Sequence, residues 1–262
     1  MVIPCIDMKI ILIGAGNLAT QLAVALQKKG MTPAYIYSRT RESAEQLSER
    51  LRDVPHSTDI SQVSTDGDLY IFAVKDSALL DLVSRMPSNR GLWVHTAGSM
   101  DMEVFAPYTA RYGVFYPMQT FSKERETDFD DIPIFVEANH TNDTERLQEL
   151  AGRLSTKVYE ATSEQRKYLH LAAVFACNFT NHLYALCDRI LSEHGLPFET
   201  MLPLIRETAA KVADMPPEQA QTGPAIRYDK NVIDKQMALL SDPTMRQIYD
   251  LMSRSIHETN KH

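Results

Sequence analysis

A glycine-rich segment near the N-terminus has the spacing of a phosphate-binding turn. Gly14, Gly16 and Ala19 occupy the fixed positions of a G-x-G-x-x-A pattern. The first glycine permits a tight turn, the second lets backbone approach a pyrophosphate, and the alanine lets the following helix pack closely. Free N–H groups at the helix N-terminus would bind that pyrophosphate. The pattern predicts a dinucleotide site. It is not specific by itself, because flavin and adenosyl-methionine folds also use glycine-rich first turns. The alternative is a bare structural turn.

Arginines, and no carboxylate, follow the next predicted strand. NAD enzymes usually carry Asp or Glu about 20 residues after the glycine turn, whereas this strand ends in Ser38, Arg39, Thr40 and Arg41. Two cations at the start of a helix oppose its dipole. A 2′-phosphate bound by Arg39, Ser38 and Thr40 would remove that conflict. We therefore favour NADP over NAD; a solvated arginine pair offset by two nearby glutamates is the alternative.

A long predicted helix carries the other candidates for chemistry. Lys167, His170, Val174, Asn178 and Asn181 are spaced 3, 4, 4 and 3, so they share one helical face. Buried polar groups need partners, so this face either pairs with other helices or lines a wet cleft between domains. We favour the cleft and expect His170 as acid or base, Lys167 as electrostatic polariser and Asn178 as substrate-orienting amide.

The pattern of strands and helices changes along the chain. Apolar, β-branched runs predict strands at 9–13, 34–37, 68–74 and 92–95, with weaker signals at 112–115, 134–137 and 157–160. Helical periodicity dominates later, at 163–194, 198–214, 223–240 and 243–257. We expect an α/β Rossmann-type domain with a mostly parallel sheet at 8–161, followed by an all-α domain at 162–262 for substrate binding and dimerisation.

Two strand ends and one loop could border the reacting part of a cofactor. Ligands of open α/β sheets lie outside the carboxyl ends of the strands. Small residues at 73–76 and 95–99 would let backbone contact ribose and nicotinamide there. Ordinary strand-to-helix turns explain them equally well. The loop at 116–121 supplies Met118 and Phe121, either as pocket walls or as plain core.

Composition excludes several classes of protein. Lys plus Arg is 27 and Asp plus Glu is 34, giving a net charge of −7, so we expect neither nucleic acid nor an anionic membrane as a partner. Three cysteines without a C-x-x-C pair fit a reducing cytoplasm and offer no zinc site. Residues 1–7 lack a basic n-region, so we expect no signal peptide. The uncharged stretch 168–187 contains histidines and asparagines, which indicates a helix buried in protein and not in lipid.

Six short motifs carry a resemblance to a known group of proteins. The motifs are GAGNLA at 14–19, YSRTRESA at 37–44, AVKD at 73–76, HTAGS at 95–99, YPMQTF at 116–121 and TGPAIRYD at 222–229. Together they resemble a bacterial group of NADP oxidoreductases, in which a Rossmann domain precedes a helical domain of unknown function. That group is related to pyrroline-5-carboxylate reductase, prephenate dehydrogenase and the 6-phosphogluconate-type dehydrogenases. The resemblance covers nearly the whole chain, and the last two motifs are its more specific part.

The resemblance implies a cofactor site and an oligomeric state. The dinucleotide would lie across Gly14, Gly16, Asn17 and Leu18, with its extra phosphate at Ser38, Arg39 and Thr40. Val74, Lys75, Thr96 and Ala97 would border the nicotinamide. Helical second domains in this superfamily usually dimerise, so a homodimer is expected. At 222–229, Thr222 would cap a helix that Gly223 and Pro224 open; an anion-recognising corner is the alternative.

One position departs from the group's pattern. Relatives often read H-P-M where this chain has Tyr116-Pro117-Met118. Tyrosine, with a reference pKa of about 10, shuttles protons at neutral pH less readily than histidine, with about 6.5, so Tyr116 is a reserve donor only. We expect an NADP-dependent oxidoreductase that transfers hydride between NADPH and a small carbonyl or imine. The alternative is a non-catalytic, NADP-binding regulatory protein.

Overall fold

The computed structural model describes residues 8–260, which form two compact units divided between Cys177 and Asn178. The expected absence of a signal peptide concerns residues 1–7 and lies outside the described residues. The predicted domain boundary after Ala161 coincides with the end of a strand and stays a prediction.

A single sheet organises the first unit. Its eight strands have the order β3-β2-β1-β4-β5-β6-β7-β8. They are β1 Ile10–Ile13, β2 Tyr35–Tyr37, β3 His56–Ser57, β4 Leu69–Phe72, β5 Leu92–His95, β6 Tyr112–Pro117, β7 Ile134–Ala138 and β8 Val158–Glu160. All neighbours pair in parallel except β6 and β7, which are antiparallel. The sheet confirms the predicted mostly parallel, Rossmann-type fold.

Helices cover both faces of this sheet. They are α1 Asn17–Lys28, α2 Arg41–Arg50, α3 Asp76–Ser84, α4 Thr141–Leu154 and α5 Ser163–Ala173, with short 3₁₀ turns at Ile60–Gln62 and Met102–Phe105. Alternate residues of β1 point to opposite faces. Ile10 and Leu12 pack in the core beneath α1 and α4, and Ile11 and Ile13 pack in the core beneath α3. Burial on both faces explains why this strand is a continuous apolar run.

The second unit is helical, as predicted. A π-helical segment, Val174–Phe179, spans the division between the units, and α6 Thr180–Glu193, α7 Leu202–Asp214, α8 Pro217–Ala220, α9 Lys230–Ala238 and α10 Pro243–Thr259 follow. Phe198–Met201 is a 3₁₀ turn before α7. The helix predicted at 163–194 is therefore interrupted, because its middle turn is wound as a π-helix, a form often found at functional sites.

Two sequence expectations about helices are wrong. No helix begins at Gly223 under a Thr222 cap, because Gly223 and Tyr228 both have positive φ angles, 106° and 49°. Those angles turn the chain, and α9 starts only after Asp229, whose carboxylate accepts a bond from the Val232 N–H. The uncharged stretch 168–187 is also not buried within this chain: Tyr168 is 67% exposed and Leu171 is 54% exposed. Within residues 8–260, no helix is long and apolar enough to cross a membrane.

Candidate active site

The glycine turn between β1 and α1 has the geometry that its sequence requires. Gly14 has a φ angle of +126°, and its N–H donates to the Tyr37 carbonyl at 2.7 Å. A Cβ at this position would collide with the carbonyl oxygen of Ala73, so only glycine fits between the ends of β1 and β4. This close approach brings three strand ends together at one edge of the sheet.

The N-terminus of α1 is open to a ligand. Gly16 is the N-cap, no side chain caps the helix, and its first turn has no acidic residue. A Cβ built on Gly16 would meet nothing within 4 Å. Asn17 and Leu18 begin the helix, so their N–H groups point out of its positive end. The arrangement fits a pyrophosphate, the group that the sequence predicts here.

The turn after β2 carries the residues that the sequence predicts at a second anionic group of the cofactor. Ser38 is buried, and its N–H donates to the Ser57 carbonyl. Thr40 is the N-cap of α2, but its side chain makes no capping bond. Arg41 is bound to Glu45, one helical turn later, at 2.7 Å. Of the two arginines, then, Arg41 is the one offset by a glutamate, whereas Arg39 is exposed and has no ion pair within residues 8–260.

The loops after β4 and β5 lie side by side. Thr96 donates through its N–H to the Phe72 carbonyl at 3.2 Å, which joins the two strand ends. Lys75, next to Val74, is the N-cap of α3, and Asp76 in the first turn accepts a hydrogen bond from the Ser99 hydroxyl. The residues expected to border the nicotinamide therefore belong to two adjacent loops at the carboxyl edge of the sheet.

The His95 side chain makes hydrogen bonds to the backbone of the loop after β5. Its side chain is buried, and burial, assisted by the positive charge of Arg166, lowers its pKa to about 4. Nδ1 accepts the Ala97 N–H at 3.2 Å, and Nε2 lies 3.3 Å from the Asp101 carbonyl. A neutral ring with its proton on Nε2 satisfies both contacts. His95 therefore fixes the backbone of the loop.

Arg166 joins α5 to the same loop. Its side chain is fully buried and pairs with Glu137 on β7 at 2.8 Å. The guanidinium also donates to the carbonyls of Ala97 and Met100. Glu137 in turn accepts the N–H and the hydroxyl of Ser163, at 2.9 and 2.7 Å. These bonds fix the position of α5 against β7 and against the 97–100 backbone.

One turn beyond Arg166, His170 meets Tyr116. The Tyr116 hydroxyl oxygen lies 3.2 Å from His170 Nδ1, and the rings meet edge to face. Tyr116 is buried, and burial raises its pKa above 10 despite the opposing charge of Arg166. His170 is exposed, and its ring covers Gly98: a Cβ there would lie 2.6 Å from Nδ1. An imidazole and a phenol thus form a pair beside the loop after β5.

The other two candidates on the helix have different surroundings. Lys167 Nζ lies 3.7 Å from the Asp101 carboxylate, and both side chains are about half exposed. Asn178 lies in the π-helical turn, on the second unit, and is exposed. The first unit therefore brings together His170 and Tyr116 and holds Lys167 against the same loop.

Sequence reasoning missed the contacts of three residues of this site: it marked Gly98 only as one of the small residues at 95–99, and it did not single out Arg166 or Glu137. Gly98 makes room for the His170 ring, Arg166 holds the loop, and Glu137 holds Arg166. Each acts through a partner at least 29 positions away in the chain, so no local pattern could reveal them. Within residues 8–260, no three histidine, cysteine or acidic side chains are grouped to hold a metal ion.

Comparisons with known proteins agree with this architecture. Family models match residues 3–118 as a Rossmann-like domain and residues 132–256 as a domain of unknown function, DUF2520. No curated protein matches the chain. A solved structure from Bacteroides fragilis, named as a "putative NADP oxidoreductase", is 53% identical; the match covers 96% of this chain and 98% of that one, with a TM-score of 0.90.

Two more distant structures share the fold. The protein TM1727 from Thermotoga maritima is 22% identical over 96% of this chain and 98% of that one, with a TM-score of 0.71. An imine reductase from Myxococcus stipitatus, solved with NADP⁺, is 18% identical over 97% and 94%, with a TM-score of 0.70. The resemblance seen in the sequence motifs is confirmed. The chain belongs to the family of the Bacteroides fragilis protein, in which a Rossmann-like domain is followed by the DUF2520 domain.

Proposed function

We propose that this protein is an NADP-dependent oxidoreductase that transfers hydride between NADPH and a small carbonyl or imine. The observation that carries the proposal is the Tyr116–His170 pair, which lies beside the loop that would border the nicotinamide. The 53% identical NADP oxidoreductase relative and the fold shared with an NADP⁺-bound imine reductase support the cofactor and make imines the first substrates to test.

The open helix N-terminus and the arginine corner provide the cofactor site. Backbone at Gly14, Gly16, Asn17 and Leu18 would hold the pyrophosphate. Ser38, Arg39 and Thr40 would hold the 2′-phosphate, and Val74, Lys75, Thr96 and Ala97 would border the nicotinamide. NADPH, when bound, supplies the hydride. The N-termini of α1 and α2 without side-chain caps, and Arg39 without an ion pair among residues 8–260, fit a ligand with two separate anionic groups.

The pair can hold and deliver a proton. Because the pKa of Tyr116 is raised by burial, its hydroxyl stays protonated at neutral pH and acts as a donor. His170 is exposed, so its ring can exchange protons with solvent and pass them through Nδ1. Relatives often carry a histidine at position 116; here an imidazole comes from α5 and lies against the tyrosine. Lys167 is proposed as polariser and Asn178 as substrate-orienting amide.

Steady-state NADPH oxidation over a panel of carbonyls and imines tests the proposal. With the substrate found, His170→Ala and Tyr116→Phe should each lower kcat by about a hundredfold or more, the usual contribution of a positioned proton donor. The matched control is His140→Ala. His140 is likewise an exposed histidine, but it lies at the start of α4 and contacts the Ala110 carbonyl, so its loss should leave kcat unchanged. Gly98→Ala should resemble His170→Ala, since the new Cβ displaces the imidazole.

Full turnover by His170→Ala would overturn the catalytic assignment. NADP⁺ binding without turnover of any compound would favour the regulatory alternative. The departure at position 116 is the feature that motivates that alternative. A cytoplasmic location stays a prediction from the cysteine pattern.

We also propose that the protein is a homodimer built through its helical unit. Within the described part of this unit, only Ala225, Ile233, Met245 and Ser253 are buried. Large apolar side chains on its helices and at the end of α9 are instead exposed: Leu183 38%, Leu204 62%, Val212 50%, Leu239 81% and Leu251 62%. A helical unit of this length needs a larger buried core to be stable. A second copy of the chain would cover these side chains.

A further inference from the structure

The loop between β6 and β7 is held against the helices that flank the predicted cofactor site. Gln21 on α1 is 1% exposed, and both ends of its amide bind this loop. Its Nε2 donates to the Ser122 carbonyl at 2.7 Å and to the Lys123 carbonyl at 3.3 Å, and its Oε1 accepts the Thr127 N–H at 3.1 Å. A buried amide with all three bonds satisfied fixes the loop backbone.

Contacts to two other helical residues complete this anchoring. Arg50 at the end of α2 donates to the Lys123 carbonyl at 2.9 Å. Lys28 at the end of α1 forms an ion pair with Glu126. The Lys123 carbonyl therefore accepts hydrogen bonds from Gln21 on α1 and from Arg50 on α2. These two bonds fix the position of the Lys123 backbone, from which its side chain extends.

The Lys123 side chain extends along α2 toward the helix start. Its ammonium lies 3.5 Å from the hydroxyl of Ser43, in the first turn of α2. Within residues 8–260, Lys123 forms no salt bridge: the nearby Glu42 bonds Gln46 and the nearby Glu45 bonds Arg41. A half-buried ammonium without a counter-charge, next to the positive end of a helix, is electrostatically unfavourable.

An anion bound at the start of α2 would remove this repulsion. Arg39 is likewise exposed and without an ion pair in the described chain, and the Thr40 hydroxyl at the N-cap makes no capping bond. Donors from two chain segments thus meet at the start of one helix: Arg39 and Thr40 directly precede α2, and Lys123 lies beside Ser43 in its first turn. A phosphate monoester accepts charge-assisted bonds from several such donors at once.

We infer that Lys123 is a specificity residue for the 2′-phosphate of NADP, supplied by the β6–β7 loop and not by the turn between β2 and α2 that carries the other proposed phosphate ligands. This inference rests on the proposed cofactor function. It assigns a selective role to a loop that lies more than 70 residues from Ser38–Thr40 in the sequence. The positive charge of Lys123 would then discriminate NADP from NAD without contacting the nicotinamide half.

Calorimetric titration with NADP⁺, NAD⁺, adenosine 2′,5′-bisphosphate and 5′-AMP tests the inference. Lys123→Gln should weaken binding of NADP⁺ and of the bisphosphate by about tenfold or more, the contribution of one charged hydrogen bond. Its affinity for NAD⁺ and 5′-AMP should change less than twofold, which also shows that the variant is folded. Lys123→Arg should keep most of the affinity for NADP⁺. Lys211→Gln, on α7, removes the same charge elsewhere and should change nothing.

Each remaining outcome has a definite meaning. Equal weakening of NADP⁺ and NAD⁺ binding in Lys123→Gln would show that Lys123 only supports the loop, and unchanged binding of both would remove it from the site; either result overturns the inference. If the unmodified protein bound neither coenzyme, the proposed function itself would fail. Those failures are therefore separable in one series of titrations.

Discussion

Tyr116 and His170 lie 54 positions apart in the chain but 3.2 Å apart in space. The sequence singled out both residues for different reasons, His170 for its helical face and Tyr116 for its departure from a family motif. Neither reason predicted that they would touch. Their pairing changes the interpretation of position 116, because the imidazole missing from the motif is present beside the tyrosine, on another element.

His95 makes the stability of the protein depend on pH. Its pKa falls from 6.5 to about 4 on folding, mainly through burial. Between these values the unfolded chain binds a proton that the folded chain does not, so the free energy of unfolding decreases as the pH falls from about 7 to about 4. A shift of this size corresponds to about 3 kcal/mol. Urea denaturation across this pH range measures the loss.

A non-titrating variant separates His95 from the other groups that titrate in this range. In His95→Gln, the amide can still accept from Ala97 and donate to Asp101, but it binds no proton. The variant should be less stable than the wild type at pH 7 and should lose less stability on acidification, by about 3 kcal/mol. Identical pH profiles for the two proteins would show that His95 is not held neutral by the fold.

Residue-level sequence reasoning found the groups with chemical signatures and missed those that act by contact. The glycine turn and the serine–arginine–threonine corner repeat known local geometry, so their types and spacing were sufficient. Arg166 has no such local signature, and the small-residue motif at 95–99 did not reveal that Gly98 makes room for the His170 ring. Their roles depend on which helix crosses the loop after β5, and that is set by contacts between residues distant in the chain.

At the level of elements, the buried residues of α5 are polar, Ser163 and Arg166, and its apolar residue Leu169 packs only partly buried against the cluster of Val114 and Tyr116. Arg166 contributes bonds to β7, to its own helix and to two carbonyls of the loop after β5. Arg166→Met should leave the Glu137 carboxylate without its counter-charge and the carbonyls of Ala97 and Met100 without the guanidinium donor. We expect it to lower the free energy of unfolding by about 3–5 kcal/mol, the usual penalty for breaking a buried ion pair. Urea denaturation monitored by circular dichroism measures this change.

A double-mutant cycle distinguishes the network from simple loss of packing. Because Glu137→Gln removes the other charge, adding Arg166→Met to it should be much less destabilising than Arg166→Met alone. Additive effects of the two substitutions would mean that the ion pair does not position α5. In that case, the helix would depend on its capping box at Thr162 and Gln165 instead.

Element prediction from sequence succeeded where local pattern and tertiary environment agree. Strands such as β1 are apolar because both faces are covered, so the pattern alone locates them. It failed at 223–229, where a proline and apolar residues imitate a helix start but two positive φ angles form a turn. The π-helical segment was also not foreseen, because one extra residue in a turn leaves helical periodicity almost unchanged.

For the whole molecule, the exposed apolar helices predict self-association. Light scattering after gel filtration should give twice the 29.6 kDa mass of the chain. Replacing Leu204 and Leu251 together by Glu should shift the protein toward the monomer, because both lie on helices of the second unit, are more than half exposed in the single chain and would be buried in a dimer. Leu80→Glu, at a leucine on α3 that is also more than half exposed, is the matched control and should leave the mass unchanged.

A wild-type protein that stayed monomeric at micromolar concentration would contradict the dimer. The helical unit would then be an exposed apolar surface without a partner copy, and its stability should be low. The sequence indicated the homodimer only by resemblance. The burial pattern adds a physical reason, because few residues of α6 to α10 are buried in the single chain.

The reversed direction of β7 has a consequence for the site. Pro117, at the carboxyl end of β6, pairs with Ile134, and Gly113, near the amino end of β6, pairs with Ala138. β7 and its parallel neighbour β8 therefore both run in the direction opposite to β6. The chain therefore leaves β8 away from the carboxyl end of β6. From there α5 runs from Glu137, which pairs with Val114, toward Tyr116 near the carboxyl end of β6. If β8 ran parallel to β6, α5 would begin at the carboxyl edge of the sheet and would run away from that edge. The single antiparallel pairing therefore places His170 at the carboxyl edge of the parallel strands, where the nicotinamide of the coenzyme is expected.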